Sequence, residues 1–322
     1  MKKSVFRFLL AALAAVLALG ASGLAGAAES YPNRTIRMIV PFPAAGAIGS
    51  DAAAKSAPDG YTILMATSST HSIGPSLNPN LPYKVESDFT PISEVTTSPN
   101  LLLVTKKPPV STPRELVLYA RSHPGQLNYA SSGNGTIIQL TTEAFKSQTN
   151  SFITHIPYKG AALAVPNMMD GKEHLMFDNI VSGMPHVRDG SLRALAVTGA
   201  KRSSLVPDLP TLDEVDRKEK DHGLAGFESS TWFGLYGPKG LPADIVAKLN
   251  AAVNKALQSP EVQDRFARMG AELAGGTPAQ FEVTVQADTA RWAKLIRERK
   301  IQATGQQTRK HKHIKRRAAG KP

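Results

Sequence analysis

Short apolar segments alternate with helix-like segments along most of the chain, and this alternation constrains the fold more than any other sequence feature. Strand-like runs occur at 35–40, 62–66, 101–105, 126–130, 153–156, 175–177, 194–198 and 233–236. The helices between them carry clear start signals, such as the capping boxes at 112–115 (TPRE) and 277–280 (TPAQ), each with proline at the first helical position. The pattern predicts an α/β protein with mainly parallel strands.

The amino terminus has the features of a secretory signal peptide. Lys2, Lys3 and Arg7 precede an apolar run at 8–19, and a small-residue segment ends at Ala27. The apolar run is too short for a transmembrane anchor, which needs about 20 such residues. We therefore expect residues 1–27 to be a signal peptide that is removed, so that the mature protein is exported to the periplasm.

Most of the formal net charge of +12 lies at the two ends of the chain. Three positive charges are in the signal peptide, and seven more, without any acid, are in residues 306–322, which leaves +2 for residues 28–305. A nucleic-acid-binding function would rest on this basic tail alone, and we interpret 301–322 as a disordered, solvated extension. The absence of cysteine excludes disulfides, thiolate nucleophiles and cysteine-based metal sites. We predict no metal, no cofactor and no nucleic-acid partner.

Small, hydroxylic or glycine-rich residues follow four of the predicted strands. In open α/β sheets ligands bind beyond the carboxyl ends of strands, where helix N-termini offer N–H groups to an anion. These segments, with an acidic residue after a later strand, therefore predict a cleft for a small carboxylate. The candidate binding residues are Phe42, Ala44, Gly46, Thr67, Ser68, Ser69, His71, Ser131, Ser132, Gly133, Gly135, Thr136, Tyr158, Lys159, Gly160 and Asp178.

Each of these segments also has a purely structural interpretation. The segment 131–136 can be a turn with a helix cap, Lys159 a surface charge, and Asp178 the cap of the next helix. Sequence motifs for nucleophile elbows, zinc helices and dinucleotide binding are absent. The alternative hypothesis is an exported serine hydrolase that uses Ser132, although the spacing of Ser132, His71 and Asp178 does not indicate a triad.

Several ordered motifs resemble those of a known family. They include YPNRTIRMIVPFP at 31–43, APDGYTILMATSSTHSIGPSL at 57–77, LNYASSGNGT at 127–136, HIPYKG at 155–160, LMFDN at 175–179 and SSTWFGLYGP at 229–238. Over residues 31–300 the chain resembles the Bug-type extracytoplasmic solute receptors of tripartite tricarboxylate transporters. The resemblance implies a monomeric, non-enzymatic receptor that binds a small carboxylate in the periplasm and delivers it to membrane subunits.

The resemblance also implies a type II-like periplasmic binding protein with two domains, a central cleft and a hinge. Domain one would comprise 28–104 and 232–300, and domain two 105–231, with the hinge near 101–105 and 229–233. The carboxylate would be held by 42–46, 67–71 and 131–136, with 158–160 and Asp178 on the opposite wall.

This chain departs from the family pattern in three places. After Pro43 it continues directly to the AGAIGS segment at 45–50, so domain one is expected to lack a helix and a strand. A charged segment at 213–222 is interpreted as a solvated surface insertion. The basic tail has no counterpart in the family pattern.

Overall fold

A computed structural model describes residues 31–40, 46–218 and 222–301. The predicted signal peptide, residues 302–322 of the predicted tail, and Phe42 and Ala44 of the candidate site lie outside the described residues. Arg37 begins the compact unit that contains every element named below.

Among the described residues, nine strands contribute to the sheet of this unit. In chain order they are β1 (Arg37–Ile39), β2 (Thr62–Thr67), β3 (Phe89–Val104), β4 (Asn128–Ser131), β5 (Thr154–Pro157), β6 (Leu175–Asn179), β7 (Arg193–Val197), β8 (Ser230–Pro238) and β9 (Glu272–Gly275). The helices are α1 (Ala47–Ala54), the π-helical turn α2 (Ser69–Ile73), α3 (Gly74–Leu77), α4 (Val85–Asp88), α5 (Pro113–Ser122), α6 (Ile137–Gln148), α7 (Ala161–Met169), α8 (Ile180–Arg188), α9 (Leu212–Lys218), α10 (Ala243–Leu257), α11 (Pro260–Arg268) and α12 (Pro278–Arg299).

The sheet is more antiparallel than the sequence pattern indicated. The strand order is β1-β2-β8-β3-β6-β4-β5, with β7 and β9 also paired to β3. β1–β2, β4–β5 and β4–β6 are parallel, whereas β3 runs antiparallel to all four of its partners and β8 runs antiparallel to β2. The prediction of mainly parallel strands is therefore wrong, because β3 and β8 both run against their neighbours.

Strand β3 joins two parts of the sheet and is much longer than the predicted run at 101–105. Its first part, Phe89–Pro99, pairs with β8, and its last five residues pair with β6. A smaller apolar core, which includes Leu64 and Trp232, lies beside the first part. A larger core, which includes Phe145 and Phe177, surrounds the second part. One continuous strand thus contributes to two ladders with separate cores.

The helix boundaries follow the predicted capping residues. Thr277 and Gln280 form the full reciprocal capping box at the start of α12, and the buried residues of this helix are Phe281, Val285, Trp292 and Ile296. At α5, Thr112 accepts the N–H of Glu115, but the Glu115 carboxylate accepts the N–H of Ser111. The start of this helix therefore departs from the expected reciprocal box.

The charged segment at 213–222 is more ordered than a solvated insertion. Its first half belongs to α9, and Asp216 is buried there. One oxygen of the Asp216 carboxylate accepts the backbone N–H groups of His222 and Leu224. The interpretation as a purely solvated insertion is wrong because this carboxylate holds the turn that follows the helix.

Apolar side chains remain exposed where the chain leaves β1 and enters α1. Met38 and Val40 are 45% and 54% exposed, and Ile48 is 89% exposed. β1 pairs with β2 and ends the strand order of the described residues. Large apolar side chains at a sheet edge indicate a surface that is poorly covered.

Candidate functional site

A cleft of about 490 Å³ lies where residues from the two parts of the sheet meet. From the first part it is lined by Ala47, Gly74, Leu77, Asn78 and Leu81. From the second part it is lined by 132–136 and by Pro157, Tyr158 and Lys159. Its volume lies within the range of small-molecule sites.

The loop between β4 and α6 has the conformation that the glycine-rich sequence predicted. Gly133 and Gly135 have φ values of 137° and 80°, in the region that favours glycine. A Cβ on Gly135 would lie 3.0 Å from Cδ1 of Leu77 across the cleft. Thr136 caps α6 by accepting the N–H of Gln139, and its hydroxyl donates to the carbonyl of Gly133 at 2.8 Å. These contacts fix the wall on which a ligand would rest.

Ser131 and His155 hold this loop in place by hydrogen bonds. Nε2 of His155 lies 2.6 Å from Oγ of the buried Ser131, and its ring stacks on Tyr129 with centroids 4.6 Å apart. Gln139 accepts the Gly135 N–H through Oε1 at 2.7 Å, so its Nε2 is the donor to Nδ1 of His155 at 3.3 Å. His155 therefore carries its proton on Nε2 and donates to Ser131. Burial lowers the pKa of this imidazole to about 4, which keeps the ring neutral at pH 7.

The Ser69 hydroxyl connects the two parts of the sheet, whereas those of Ser68 and Thr70 form hydrogen bonds within the first part. Oγ of Ser69 accepts the N–H of Ile137, the first residue of α6, at 3.2 Å. Oγ of Ser68 accepts the N–H of Trp232 at 3.0 Å. Thr67 donates its N–H to Thr70. Three of these four residues are buried, and Ser69 is half-buried beside the cleft.

Charge in the cleft comes from one side chain. Lys159 is exposed, and it is the one ionisable lysine, arginine, aspartate or glutamate among the described residues that line the cleft. The neighbouring Tyr158 hydroxyl donates to Glu173 at 2.8 Å, which fixes the position of the ring. Gly160, at φ 130°, turns the chain into α7. A single cation beside hydroxyl and backbone groups favours an anionic ligand.

The structure brings together some of the predicted site residues and not others. Ser132, Gly133, Gly135, Thr136, Tyr158 and Lys159 line the cleft. Gly46 is the N-cap of α1, directly before the lining residue Ala47. Asp178 is only 1% exposed, lies in β6 opposite Leu101, and does not line the cleft; burial raises its pKa to about 6. His71 lines a different cavity, described below.

Sequence reasoning missed the part of the cleft that α3 provides. Gly74, Leu77 and Asn78 lie at or just beyond the end of the SSTHSIGPSL motif, where neither charge nor hydroxyl groups draw attention. The Gly-Pro pair at the start of a helix was the one signal for this turn. Within the described residues, no group of acidic, histidine or cysteine side chains is placed to bind a metal, and no helix is long and apolar enough to cross a membrane.

Comparison with known proteins agrees with this fold. Residues 38–301 match the model of the tripartite tricarboxylate transporter family receptor, TctC. The chain is 34% identical over 322 residues to protein BugT of Bordetella pertussis, covering 90% of this chain and 97% of BugT. Among solved structures, it is similar to R. palustris Rpa4515 with adipate (TM-score 0.76, 32% identity, 85% and 99% of the two chains). It is also similar to MatC from Rhodopseudomonas palustris with bound malate (TM-score 0.71, 30% identity, 83% and 100%). The chain belongs to the receptor family of tripartite tricarboxylate transporters.

Proposed function

We propose that this chain is a periplasmic receptor that captures a small carboxylate and presents it to the membrane subunits of a tripartite tricarboxylate transporter. The observation that carries the proposal is the cleft itself, with Lys159 beside the capped, glycine-rich loop at 132–136 at the ends of the paired strands β5 and β4. Two similar structures contain adipate and malate, which are both dicarboxylates.

The chemistry of the cleft suits a carboxylate because it combines one cation with neutral donors. Lys159 supplies charge and Ser132 supplies a hydroxyl group, whereas the Thr136 hydroxyl is already bonded to Gly133 and Gln139. A unit charge pair at 4 Å contributes about 1–4 kcal/mol, according to how far solvent screens it. We assign the ligand to Lys159, Ser132 and Ser69, with the loop at 133–136 as the wall against which it rests. Phe42 and Ala44 remain sequence predictions for the same ligand, whereas Asp178 lies outside the cleft.

Two domains with a hinge are part of this proposal. The shared strand β3 and its partner β8 pass between the two apolar cores, which supports a hinge near 101–105 and 229–233. The hydrogen bond from Ile137 to Ser69 and the approach of Gly135 to Leu77 are the contacts that closure would form. We assign residues 37–104 and 232–300 to domain one and 105–231 to domain two, with the receptor acting as a monomer.

Domain one is proposed to be shorter than in its relatives. The match to BugT extends over 322 residues but takes in only 90% of this chain, so that about 30 aligned residues have no counterpart here. A helix and a strand with their connections account for about that length. The exposed Met38, Val40 and Ile48 lie where such elements would join β1 to α1.

The hydrolase alternative receives little support from the geometry. Ser132 lines the cleft, but the hydrogen bond of His71 goes to Thr70, and Asp178 accepts the N–H of Asn179. The histidine nearest the loop, His155, presents a protonated Nε2 to Ser131 and so is in the wrong tautomer to accept a proton from it.

Calorimetric titration of the full chain with adipate, malate and citrate tests the proposed function, with adipamide as the uncharged control. We expect saturable binding of at least one carboxylate and none of adipamide. Lys159→Gln should weaken binding about 5- to 20-fold, the loss of one partly screened charge interaction. The matched control is Lys172→Gln, because Lys172 is exposed, pairs with Asp170 and does not line the cleft.

Two results would contradict the proposed receptor. One is a sample that is folded by circular dichroism but binds no carboxylate in the panel. The other is turnover of an ester or amide that Ser132→Ala abolishes, which would establish the hydrolase instead.

Export is tested separately by determining the first residue of the periplasmic protein, which should be Ala28.

A further inference from the structure

A second cavity, of about 250 Å³, lies between α12 and the sheet, and it shares no lining residue with the carboxylate cleft. His71 of α2, Phe89 at the start of β3 and Tyr236 of β8 form its buried wall. Glu86 and Glu282, both exposed, line the same cavity. The cavity therefore has an aromatic interior and an acidic opening.

The imidazole of His71 presents an unused hydrogen-bond acceptor. The hydroxyl of Thr70 donates its single hydrogen to the carbonyl of Thr67 at 3.0 Å, so its oxygen must accept from Nδ1–H of His71, also at 3.0 Å. This arrangement leaves Nε2 without a hydrogen. Nε2 is buried and has no hydrogen-bond partner among the described residues, although the side chain lines the cavity.

The cost of such an unsatisfied acceptor is appreciable, and it points to a ligand that donates. A buried polar atom without a partner has lost its hydrogen bonds to water and gained none in exchange. His71 is 1% exposed, and burial lowers its pKa to about 3, so the ring is neutral at pH 7. A neutral imidazole accepts a hydrogen bond from an N–H group and does not repel a positive charge.

The aromatic rings and carboxylates favour a cation. The centroids of Phe89 and Tyr236 lie 4.7 and 4.6 Å from that of His71. Aromatic faces attract ammonium groups, more strongly when water is excluded. Glu86 and Glu282 add two negative charges, and no lysine or arginine is among the described residues that line the cavity. Its charge is opposite to that of the cleft, where Lys159 is the charged residue.

We propose that this cavity is a second ligand site, which binds a small primary or secondary organic ammonium ion. The N–H of the ion would donate to Nε2 of His71, its charge would be balanced by Glu86 and Glu282 beside the ring cluster of His71, Phe89 and Tyr236, and its alkyl part would contact Val285. A quaternary ammonium ion lacks the N–H donor, and an alcohol lacks the charge. The site is therefore selective for a protonated amine over both.

Titration of the full chain with butylammonium at pH 7.5, monitored by NMR and calorimetry, tests the site. The probes for comparison are 1-butanol and tetramethylammonium. We expect saturable binding of butylammonium, at least 10-fold tighter than that of either comparison probe. In ¹⁵N spectra, the Nε2 signal of His71 should move upfield on binding, as a bare imidazole nitrogen does when it accepts a hydrogen bond.

Surface variants separate this site from a general effect of the acidic side chains on α12. Glu86→Gln and Glu282→Gln should each weaken butylammonium binding about 2- to 5-fold, because each removes one partly screened attraction. Glu298→Gln is the matched control, since Glu298 is exposed on the same helix α12 but does not line the cavity. It should change the affinity less than 2-fold.

The proposal is overturned if folded protein shows no saturable binding of butylammonium, or if butanol binds equally well. It is also overturned if the two glutamine variants bind butylammonium as the wild type does, or if the His71 signal does not respond. Carboxylate titrations of the same samples should be unchanged in all four proteins, so failure here leaves the carboxylate receptor standing.

Discussion

The imidazole of His155 donates a hydrogen bond from Nε2 to Oγ of Ser131, with 2.6 Å between the two atoms. The Ser131 hydroxyl in turn donates to the carbonyl of Gly133 and accepts its N–H, both at 3.2 Å. Every hydrogen-bonding capacity of this hydroxyl is therefore used to hold the loop. A serine and histidine at this distance, which in a hydrolase would indicate a nucleophile and its base, here form a support for a binding loop.

Neighbouring serines should therefore differ in what their loss affects. Ser131→Ala leaves the His155 N–H and the Gly133 N–H without their partner, which should lower the free energy of unfolding by about 1–3 kcal/mol. Ser132→Ala is the matched control, since Ser132 lines the cleft. It should reduce carboxylate affinity but change stability by less than about 0.5 kcal/mol. Urea unfolding and calorimetry distinguish the two; equal loss of stability in both variants would contradict this assignment.

Glycine should be required at position 135 for two reasons, its positive φ and its closeness to Leu77. Gly135→Ala introduces a Cβ at φ 80° that also lies 3.0 Å from Leu77, so backbone strain and a displaced Leu77 add together. Gly171→Ala, at φ 74° with no atom within 4 Å of the new Cβ, measures the strain alone. We expect the control to lose about 1 kcal/mol of unfolding free energy. Gly135→Ala should lose more stability than the control, and also carboxylate affinity; identical thermal melts and titrations would show that the contact with Leu77 is unimportant.

Asp178 should make the folded state less stable as the pH rises. Burial raises its pKa from 3.8 to about 6, so the folded protein favours the protonated acid. This contribution is fully present below pH 3.8 and is lost as the pH rises through 6; the shift corresponds to about 3 kcal/mol. Asp178→Asn removes the ionisation and should be more stable than the wild type at pH 8 but not at pH 4.

The matched control for this pH effect is Asp189→Asn. Asp189 is exposed, and hydrogen bonds from Ser191 lower its pKa, so neutralising it should give no gain at pH 8. Urea midpoints between pH 4 and pH 8 provide the measurement. A stability difference between Asp178→Asn and wild type that does not vary with pH would refute the buried ionisation.

The exposed apolar edge should promote self-association. Met38→Lys places a charge on the outer strand of the sheet, a feature that protects natural edge strands from pairing. It should reduce concentration-dependent association in light scattering while leaving the melting temperature within about 2 °C of wild type. Val283→Lys, on the exposed face of α12, is the control because Val283 is 66% exposed but lies away from that edge. Equal effects of the two substitutions would show that the edge has no special role.

Helix starts could be predicted from the sequence because they depend on neighbouring residues. The pairing of distant strands could not be predicted. The capping residues Thr277 and Thr112 place the starts of α12 and α5 correctly, because a cap depends only on residues within one turn. The direction of β3 depends on its pairing with β8, about 140 residues away in the chain. Short apolar runs carry no sign of such a partner, and this is why the sheet was predicted as mainly parallel.

The candidate site also contains some residues that the sequence predicts and others whose roles depend on distant partners. Ser132, Thr136 and Lys159 could be identified because strand ends followed by small or charged residues are where an α/β sheet binds ligands. Whether a hydroxyl faces a ligand or the interior depends on distant partners. Ser68 was a candidate ligand contact, yet its hydroxyl accepts the N–H of Trp232, and the acceptor of His71 lies beside a cavity that no motif indicated.

The pairing of β3 with β8 also determines the order in which the chain acquires structure. A chain that crosses a membrane unfolded emerges from its amino end, and β2 and the first part of β3 have no β8 to pair with until residue 238 has emerged. The strands β4 to β7 find their partners among residues 100–197. Because nearby segments meet sooner than distant ones, the ladder around the second part of β3 forms first, and the earlier residues wait for the end of the chain. β2 and the first part of β3 are thus among the last segments to complete their native pairing, although β1 and β2 can pair with each other early.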